Sequence, residues 1–141
     1  MIYNYLAAQD IWYILQILLA IVLGAILGVQ RERWGKWAGP RTYALVCAGS
    51  ALFTLLSRNF FTNNPAVIAG SIVTGIGFLG AGTILHKENR VEGLTTAAGL
   101  WMAAAIGMIV GVERYILASI TTLIILLVLM IDDKSIHKEH K

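Results

Sequence analysis

The chain has 141 residues, of which 57% are apolar and 13% are charged, and its mean hydropathy is +0.72. Soluble domains carry about 25% charged residues, so this chain has too little charge for a soluble surface and too much apolar content for a disordered chain. Its one cysteine, Cys47, excludes a disulfide framework within the chain and a cysteine-rich metal site. The length suits one domain.

Five long segments carry no charged residue, and they predict the fold. A membrane helix needs roughly 20 apolar residues, with about 17 as the lower limit. The second segment reaches residue 61 if Arg58 extends to the headgroups, and Glu113 and Arg114 separate the last two. We predict an all-α, polytopic transmembrane bundle of about five helices; the alternative is four plus an interfacial or re-entrant segment. The predicted spans, within a single domain 1–141, are 11–29, 42–61, 66–85, 97–112 and 115–131, and a short cytoplasmic tail, 132–141, follows them.

The basic residues predict the orientation. Residues before position 11 contain no Lys or Arg, so the first segment is predicted to be an uncleaved helix rather than a signal peptide. With the N-terminus outside, nine of the 11 Lys and Arg residues lie on the inner side and two, Arg58 and Arg114, on the outer side. Since basic residues concentrate in cytoplasmic loops, we predict N-out, C-in. The net charge of +3 is then a topology signal and does not indicate a nucleic-acid partner.

Small residues recur along three of the five segments and predict where helices touch. Membrane helices associate by close packing of small side chains, so we expect the first, third and fourth helices at the centre and the fifth facing lipid. Packing within the chain or across a dimer remains open; five short helices bury little surface, which favours a homodimer. The glycines predicted to serve packing or a pathway are Gly24, Gly28, Gly70, Gly75, Gly77, Gly80, Gly82, Gly99, Gly107 and Gly111.

The third segment contains Gly75-Ile-Gly77-Phe-Leu-Gly80, which matches a dinucleotide-binding fingerprint. That motif requires a preceding strand and a following helix, whereas this one lies inside an apolar run, so we exclude it. The glycines leave two readings open. One is plain close packing; the other is a broken helix whose backbone carbonyls line a cavity, as in transporters.

Polar residues that the N-out orientation places on the cytoplasmic side form the candidate functional cluster. The loop 30–41 is long for a connection between adjacent helices, which suggests that it folds back against the bundle. Thr95 or Thr96 would cap the fourth helix, whose N-terminus would attract the Glu32 carboxylate, with Arg41 or Arg33 balancing it. The alternative is an unpaired, lipid-attracting loop. The cluster comprises Arg31, Glu32, Arg33, Arg41, Thr42, Glu92, Thr95 and Thr96.

Catalytic and cofactor-binding patterns are missing from the sequence. It has no Ser-His-Asp set, no paired carboxylates within a span and no phosphate-binding loop. We therefore predict no enzymatic activity, no cofactor and no metal site. The uncharged spans also argue against a proton-coupled carrier, because such carriers keep ionisable residues inside the bilayer.

Two stretches resemble the MgtC/SapB family of membrane proteins. The first runs from Gly24 to Leu56 and includes Arg31-Glu32-Arg33 and Arg41-Thr42; the second combines Gly75-Ile-Gly77-Phe-Leu-Gly80-Ala-Gly82 with Gly93-Leu-Thr95-Thr96. The resemblance covers nearly the whole chain. It implies a multi-pass protein of the bacterial inner membrane, linked to low-magnesium adaptation and virulence. It also implies a regulatory role, namely restraint of ATP synthase through membrane contact.

The chain departs from the family pattern in two places. Its sequence ends soon after the fifth span, where family members carry a cytosolic C-terminal domain. Five side chains also differ from the types typical of the family: Gln30, Tyr43, Asn64, Val67 and Ser71.

Two functions follow from these patterns. The first is a non-enzymatic membrane regulator that acts through helix contacts, as a homodimer or with another membrane protein. The second is a small dimeric carrier or channel for an ion or metabolite that uses the glycine-rich third helix.

The orientation yields a direct test. Single cysteines placed at Lys36 and Asn63, in a background with Cys47 replaced, should react with membrane-impermeant reagents from opposite sides of the membrane, with Lys36 on the cytoplasmic side. Labelling of both positions from the same side would contradict the five-helix arrangement.

Overall fold

In a computed structural model, residues 2–61, 64–88 and 90–131 are described, with side chains from residue 9 onward. The predicted tail, 132–141, lies outside them. The prediction of an all-α bundle is confirmed by five helices and one short hairpin. The helices are α1 (Ile2–Arg33), α2 (Pro40–Phe60), α3 (Pro65–Ala81), α4 (Leu94–Gly111) and α5 (Tyr115–Leu129), and the antiparallel hairpin joins β1 (Leu85–Lys87) to β2 (Arg90–Glu92).

The helix boundaries follow from local backbone chemistry. Pro40 and Pro65 occupy the first positions of α2 and α3, where a missing N–H costs nothing. Glu113, with a φ of 64°, separates α4 from α5. The break between the fourth and fifth helices was predicted at this position. The predicted third span was wrong at its end, because the backbone turns after Ala81 through a Thr83 N–H bond to the Gly80 carbonyl and Leu85 lies in β1.

Successive helices run antiparallel, so the connections collect at two ends of the bundle. At the loop end lie the α1–α2 loop (34–39), the hairpin and the end of α5, where Gln30 of α1 donates to the Leu129 carbonyl over 2.7 Å. At the turn end lie the end of α2, the start of α3 and the connection 112–114, where Arg58 of α2 bonds to Glu113. All predicted cluster residues belong to elements that meet at the loop end.

The helix that both glycine stripes contact is α2, whereas the prediction placed α1, α3 and α4 at the centre. A Cβ added at Gly24 of α1 would lie 2.5 Å from the Tyr43 carbonyl oxygen, and one at Gly111 of α4 would lie 2.7 Å from that of Ala51. Added carbons at Gly28 and Gly107 would collide with α2 backbone atoms as well. The glycine stripes of α1 and α4 therefore both pack against α2, within the chain.

Helix α3 lies at the periphery, and three of its glycines have no part of the chain packed against them. A Cβ added at Gly70, Gly75 or Gly77 would meet no described atom within 4 Å beyond the helix's own nearby backbone. Of its glycines, Gly80 faces α4, with Ala97 at 3.5 Å. The broken-helix reading was wrong, because α3 is continuous from Pro65 to Ala81. The other reading, close packing within the chain, was also wrong for these three glycines.

The outside of the bundle is apolar. Phe78 of α3 and Ile116 of α5 are 82% and 80% exposed, and α5 buries only Ala118, Thr122 and Leu129, so its peripheral position agrees with the prediction. Two helices are long and apolar enough to cross a membrane, Gln9–Arg33 and Leu94–Gly111, and α3 and α5 are shorter apolar helices. So large an exposed apolar surface requires lipid or protein to cover it.

The contact between α2 and α4 predicts which glycines tolerate bulk. Gly107→Leu and Gly111→Leu should each destabilise the fold by about 1–3 kcal/mol through overpacking, measured as folded yield and unfolding midpoint in detergent. Ile125→Leu on α5 and Gly75→Leu on α3 are the controls and should leave both quantities near the wild-type values. Equal tolerance at all four positions would contradict the packing assigned to α4.

Candidate functional site at the loop end

The loop end buries a cation. The inward face of α1 passes through Ala20, Gly24 and Leu27, and the next position on the same face is Arg31, since residues three or four apart share a helix face. Arg31 is 2% exposed. The α1–α2 loop turns back on the end of α1: the Lys36 N–H donates to the Arg31 carbonyl over 3.0 Å, and Ala38 is buried in the core.

Tyr43 connects this cation to the neighbouring helices. Its side chain is fully buried and fills the space above Gly99, where an added Cβ would collide with the phenol oxygen. The hydroxyl donates to the Thr96 carbonyl of α4 over 3.4 Å, and the Arg31 guanidinium interacts with the same hydroxyl. One phenol from α2 therefore contacts polar groups of α1 and α4.

The buried polar groups of this region are incompletely satisfied. The Nε and Nη2 atoms of Arg31 and the Oε1 atom of Gln30 make no hydrogen bond with the residues that the structure describes. No carboxylate of the described residues pairs with Arg31. Burying an unpaired cation costs several kcal/mol, and the guanidinium cannot lose its charge. The site therefore carries a positive charge with free hydrogen-bond donors.

The structure brings two of the eight predicted cluster residues together around Tyr43, namely Arg31 and Thr96. The predicted role of Glu32 was wrong. Its side chain is exposed and forms no hydrogen bond or ion pair with any residue the structure describes. One helical position past Arg31 is a rotation of about 100°, which turns Glu32 outward. The other exposed members are Arg33, Arg41, Thr42 and Thr95.

Glu92 forms ion pairs within the hairpin. Its Oε2 atom lies 2.9 Å from the Lys87 Nζ atom and its Oε1 atom lies 2.6 Å from the Arg90 Nη2 atom. The hydrogen bond from Lys87, followed by the charge of Arg90, lowers the pKa of the Glu92 carboxyl. The carboxylate is thereby occupied by two cations of the hairpin.

The start of α4 differs from the predicted cap. The N-cap is Gly93, which has a φ of 90° and makes no side-chain cap hydrogen bond, and Thr95 and Thr96 lie within the first turn. A Cβ at Gly93 would collide with the Thr83 carbonyl. A residue without a side chain is needed here, both for the positive φ and for the close approach of the chain that follows α3.

A polar contact at the turn end was not predicted. Gln16 of α1 donates from Nε2 to the Glu113 Oε1 atom over 3.4 Å, and the Arg58 Nη2 atom lies 3.2 Å from Glu113 Oε2. The signal was available: Arg58 and Glu113 flank predicted spans on the same side, and Gln16 is polar inside a charge-free segment. This contact ties α1 and α2 to the α4–α5 turn.

An all-α bundle with an apolar exterior and polar residues gathered at its ends defines a membrane protein. The model of the MgtC family matches residues 17–138, and the chain belongs to that family. No solved structure matches it.

Three curated relatives illustrate the similarity. Protein MgtC of Salmonella typhimurium is 46% identical over 114 residues, which cover 81% of this chain and 49% of the relative. The putative magnesium transporter YhiD of Escherichia coli K12 is 40% identical over 126 residues, 81% of this chain and 59% of the relative. Protein SrpB of Synechococcus elongatus is 39% identical over 129 residues, 81% of this chain and 71% of the relative. The chain thus spans about half the length of the Salmonella protein.

The position of Tyr43 predicts a stability effect. Tyr43→Phe removes the bond to the Thr96 carbonyl and leaves the Arg31 guanidinium with one contact fewer, so it should lower the free energy of unfolding by about 1–3 kcal/mol. Tyr13→Phe on α1 is the matched control, since Tyr13 makes no hydrogen bond with the described residues. Equal unfolding midpoints for the two variants would show that the phenol merely fills space.

Proposed function

We propose that this protein is a non-enzymatic regulator of the bacterial inner membrane. It crosses the bilayer several times, with the loop end in the cytoplasm. It acts by packing the open face of α3, the face that carries Gly70 and Gly77, against another membrane protein. The family resemblance makes ATP synthase the first partner to examine. The nine-to-two division of basic residues supports this orientation.

The observation that carries the proposal is the difference between two sets of glycines. The space beside the glycines of α1 and α4 is occupied by α2, whereas the space beside Gly70, Gly75 and Gly77 of α3 is empty. Gly70 and Gly77 are seven residues apart and lie on one face of the helix. Because helices in lipid gain stability from close backbone approach, the open face of α3 is suited to receive a helix from outside the chain.

Magnesium transport is the second candidate, favoured by the name of the Escherichia coli relative, a putative magnesium transporter. The continuous α3 supports the regulator over a pathway built on a broken helix. Protein-dependent magnesium uptake into liposomes would favour the transporter and contradict the regulator as proposed.

Site-specific photocrosslinking tests the proposed contact. A photoreactive amino acid at Phe78 on α3 should give discrete adducts with another membrane protein in native membranes. The same probe at Ile116 on α5 should give only diffuse lipid-facing products, although the two side chains are exposed to nearly the same extent, 82% and 80%. Identical patterns at both positions would contradict a contact through α3, and adducts between two copies alone would replace the regulatory partner with a homodimer.

A growth assay separates contact from folding. Gly77→Leu should abolish the protein's support of growth in low magnesium without lowering its folded yield, because nothing in the chain packs against Gly77. Full support of growth by this variant would show that the α3 face is not needed.

A further inference from the structure

The Arg31 guanidinium is the polar group that the fold leaves least satisfied. Its side chain is 2% exposed, and its Nε and Nη2 atoms have no hydrogen-bond partner among the residues that the structure describes. Arginine donors in a planar fork match the oxygen atoms of a phosphoryl group or carboxylate. We propose that Arg31 binds a phosphoryl group at the loop end of the bundle, independently of any contact made by α3.

The surrounding charges favour an anion. Between residues 30 and 42 the sequence carries four cationic side chains and one carboxylate, Glu32. Arg33, Lys36 and Arg41, which lie close to Arg31 in the sequence, are exposed cations. Glu92, the carboxylate closest in sequence to the start of α4, is occupied by Lys87 and Arg90. The net excess of positive charge around Arg31 is therefore not compensated by the described residues.

The position of the site favours phosphoryl oxygen over other anions. Trp34 and Trp37 of the α1–α2 loop are exposed, and tryptophan side chains of membrane proteins concentrate at the headgroup level. Phosphate groups of lipids lie at that level, and anionic lipids gather near clustered basic residues. The same oxygen chemistry is offered by inorganic phosphate on the cytoplasmic side.

The loop that follows Arg31 is bonded to the end of α1 through its backbone. The N–H groups of Trp34, Gly35 and Lys36 donate to carbonyls of residues 30–32, with the Gly35 N–H bond at 2.9 Å and the Lys36 N–H bond at 3.0 Å. Residues 34–37 are exposed, and Gly35 has a φ of 65°, which a glycine adopts freely. Because the Arg31 side chain is 2% exposed, binding requires a local movement at this end of the bundle.

Binding is measured on the full chain in phosphate-free maltoside micelles. Native mass spectrometry follows adducts with two probes, inorganic phosphate and dioctanoyl phosphatidylglycerol, and the adduct mass distinguishes the free ion from the lipid. Dioctanoylglycerol is the phosphate-free control and should give no specific adduct. A bound ligand should also raise the unfolding midpoint.

We expect saturable binding of one probe by the wild type and by Arg114→Gln, which neutralises an exposed cation at the turn end, away from the site. Arg31→Gln should bind at least tenfold more weakly, and Arg31→Lys should be weakened because it keeps the charge and loses the fork. Arg31→Lys also keeps the measurement decisive if Arg31→Gln fails to fold. Equal binding by wild type and Arg31→Lys would overturn the proposal.

Absence of binding by the wild type would overturn it as well. Asp132 and Asp133 follow α5 in the sequence, so the chain itself offers carboxylates. If the wild type binds neither probe and the variant with both Asp132→Asn and Asp133→Asn acquires binding, the anion that satisfies Arg31 belongs to the chain, and the external phosphoryl group is rejected.

Discussion

The rest of the structure depends on the close backbone approach of α2 to both α1 and α4. Gly24 and Gly28 allow α1 to reach the start of α2, and Gly107 and Gly111 allow α4 to reach its second half. In a membrane no hydrophobic force holds helices together, so van der Waals contact between backbones must supply much of the stability. A side chain at any of these glycines would separate the helices. The approach also places Tyr43 between α1 and α4, where it meets Thr96 and Arg31.

The packing of α1 and α4 against α2 leaves two features that differ in chemistry. At the loop end, Arg31 holds a positive charge and donors that no described residue satisfies. Along α3, small residues face outward with nothing against them. Buried hydrogen-bond donors without partners favour a polar ligand, whereas exposed glycines allow the close approach of another helix. The fold therefore offers one place for an anion and another for a protein, at positions that can be altered separately.

Features that depend on local composition could be predicted from the sequence. Features that depend on which way a helix face points, or on which helix it packs against, could not. Charge-free lengths predicted five helices, and Glu113 with Arg114 predicted the break before α5. Glycine stripes predicted close contact, but a stripe does not name its neighbour, so α3 was placed at the centre instead of α2. Glu32 was expected to meet the N-terminus of α4 because it is a carboxylate, but helical phase turns it outward. Gly24 and Leu27 share the inward face with Arg31 instead. The capping role of Thr95 and Thr96 was wrong because Gly93 alone fits beside Thr83.

The central claim is that the glycines of this chain divide into those that build the fold and those that meet a partner. A leucine scan over the glycines of α1 and α4 and over Gly70 and Gly77 of α3, with folded yield and growth in low magnesium measured for each variant, tests it most directly. The account predicts two classes: variants of α1 and α4 lose yield and growth together, and variants at Gly70 and Gly77 keep yield and lose growth. Loss of yield at Gly70 and Gly77 comparable to that at Gly107, or normal growth of both α3 variants, would contradict it.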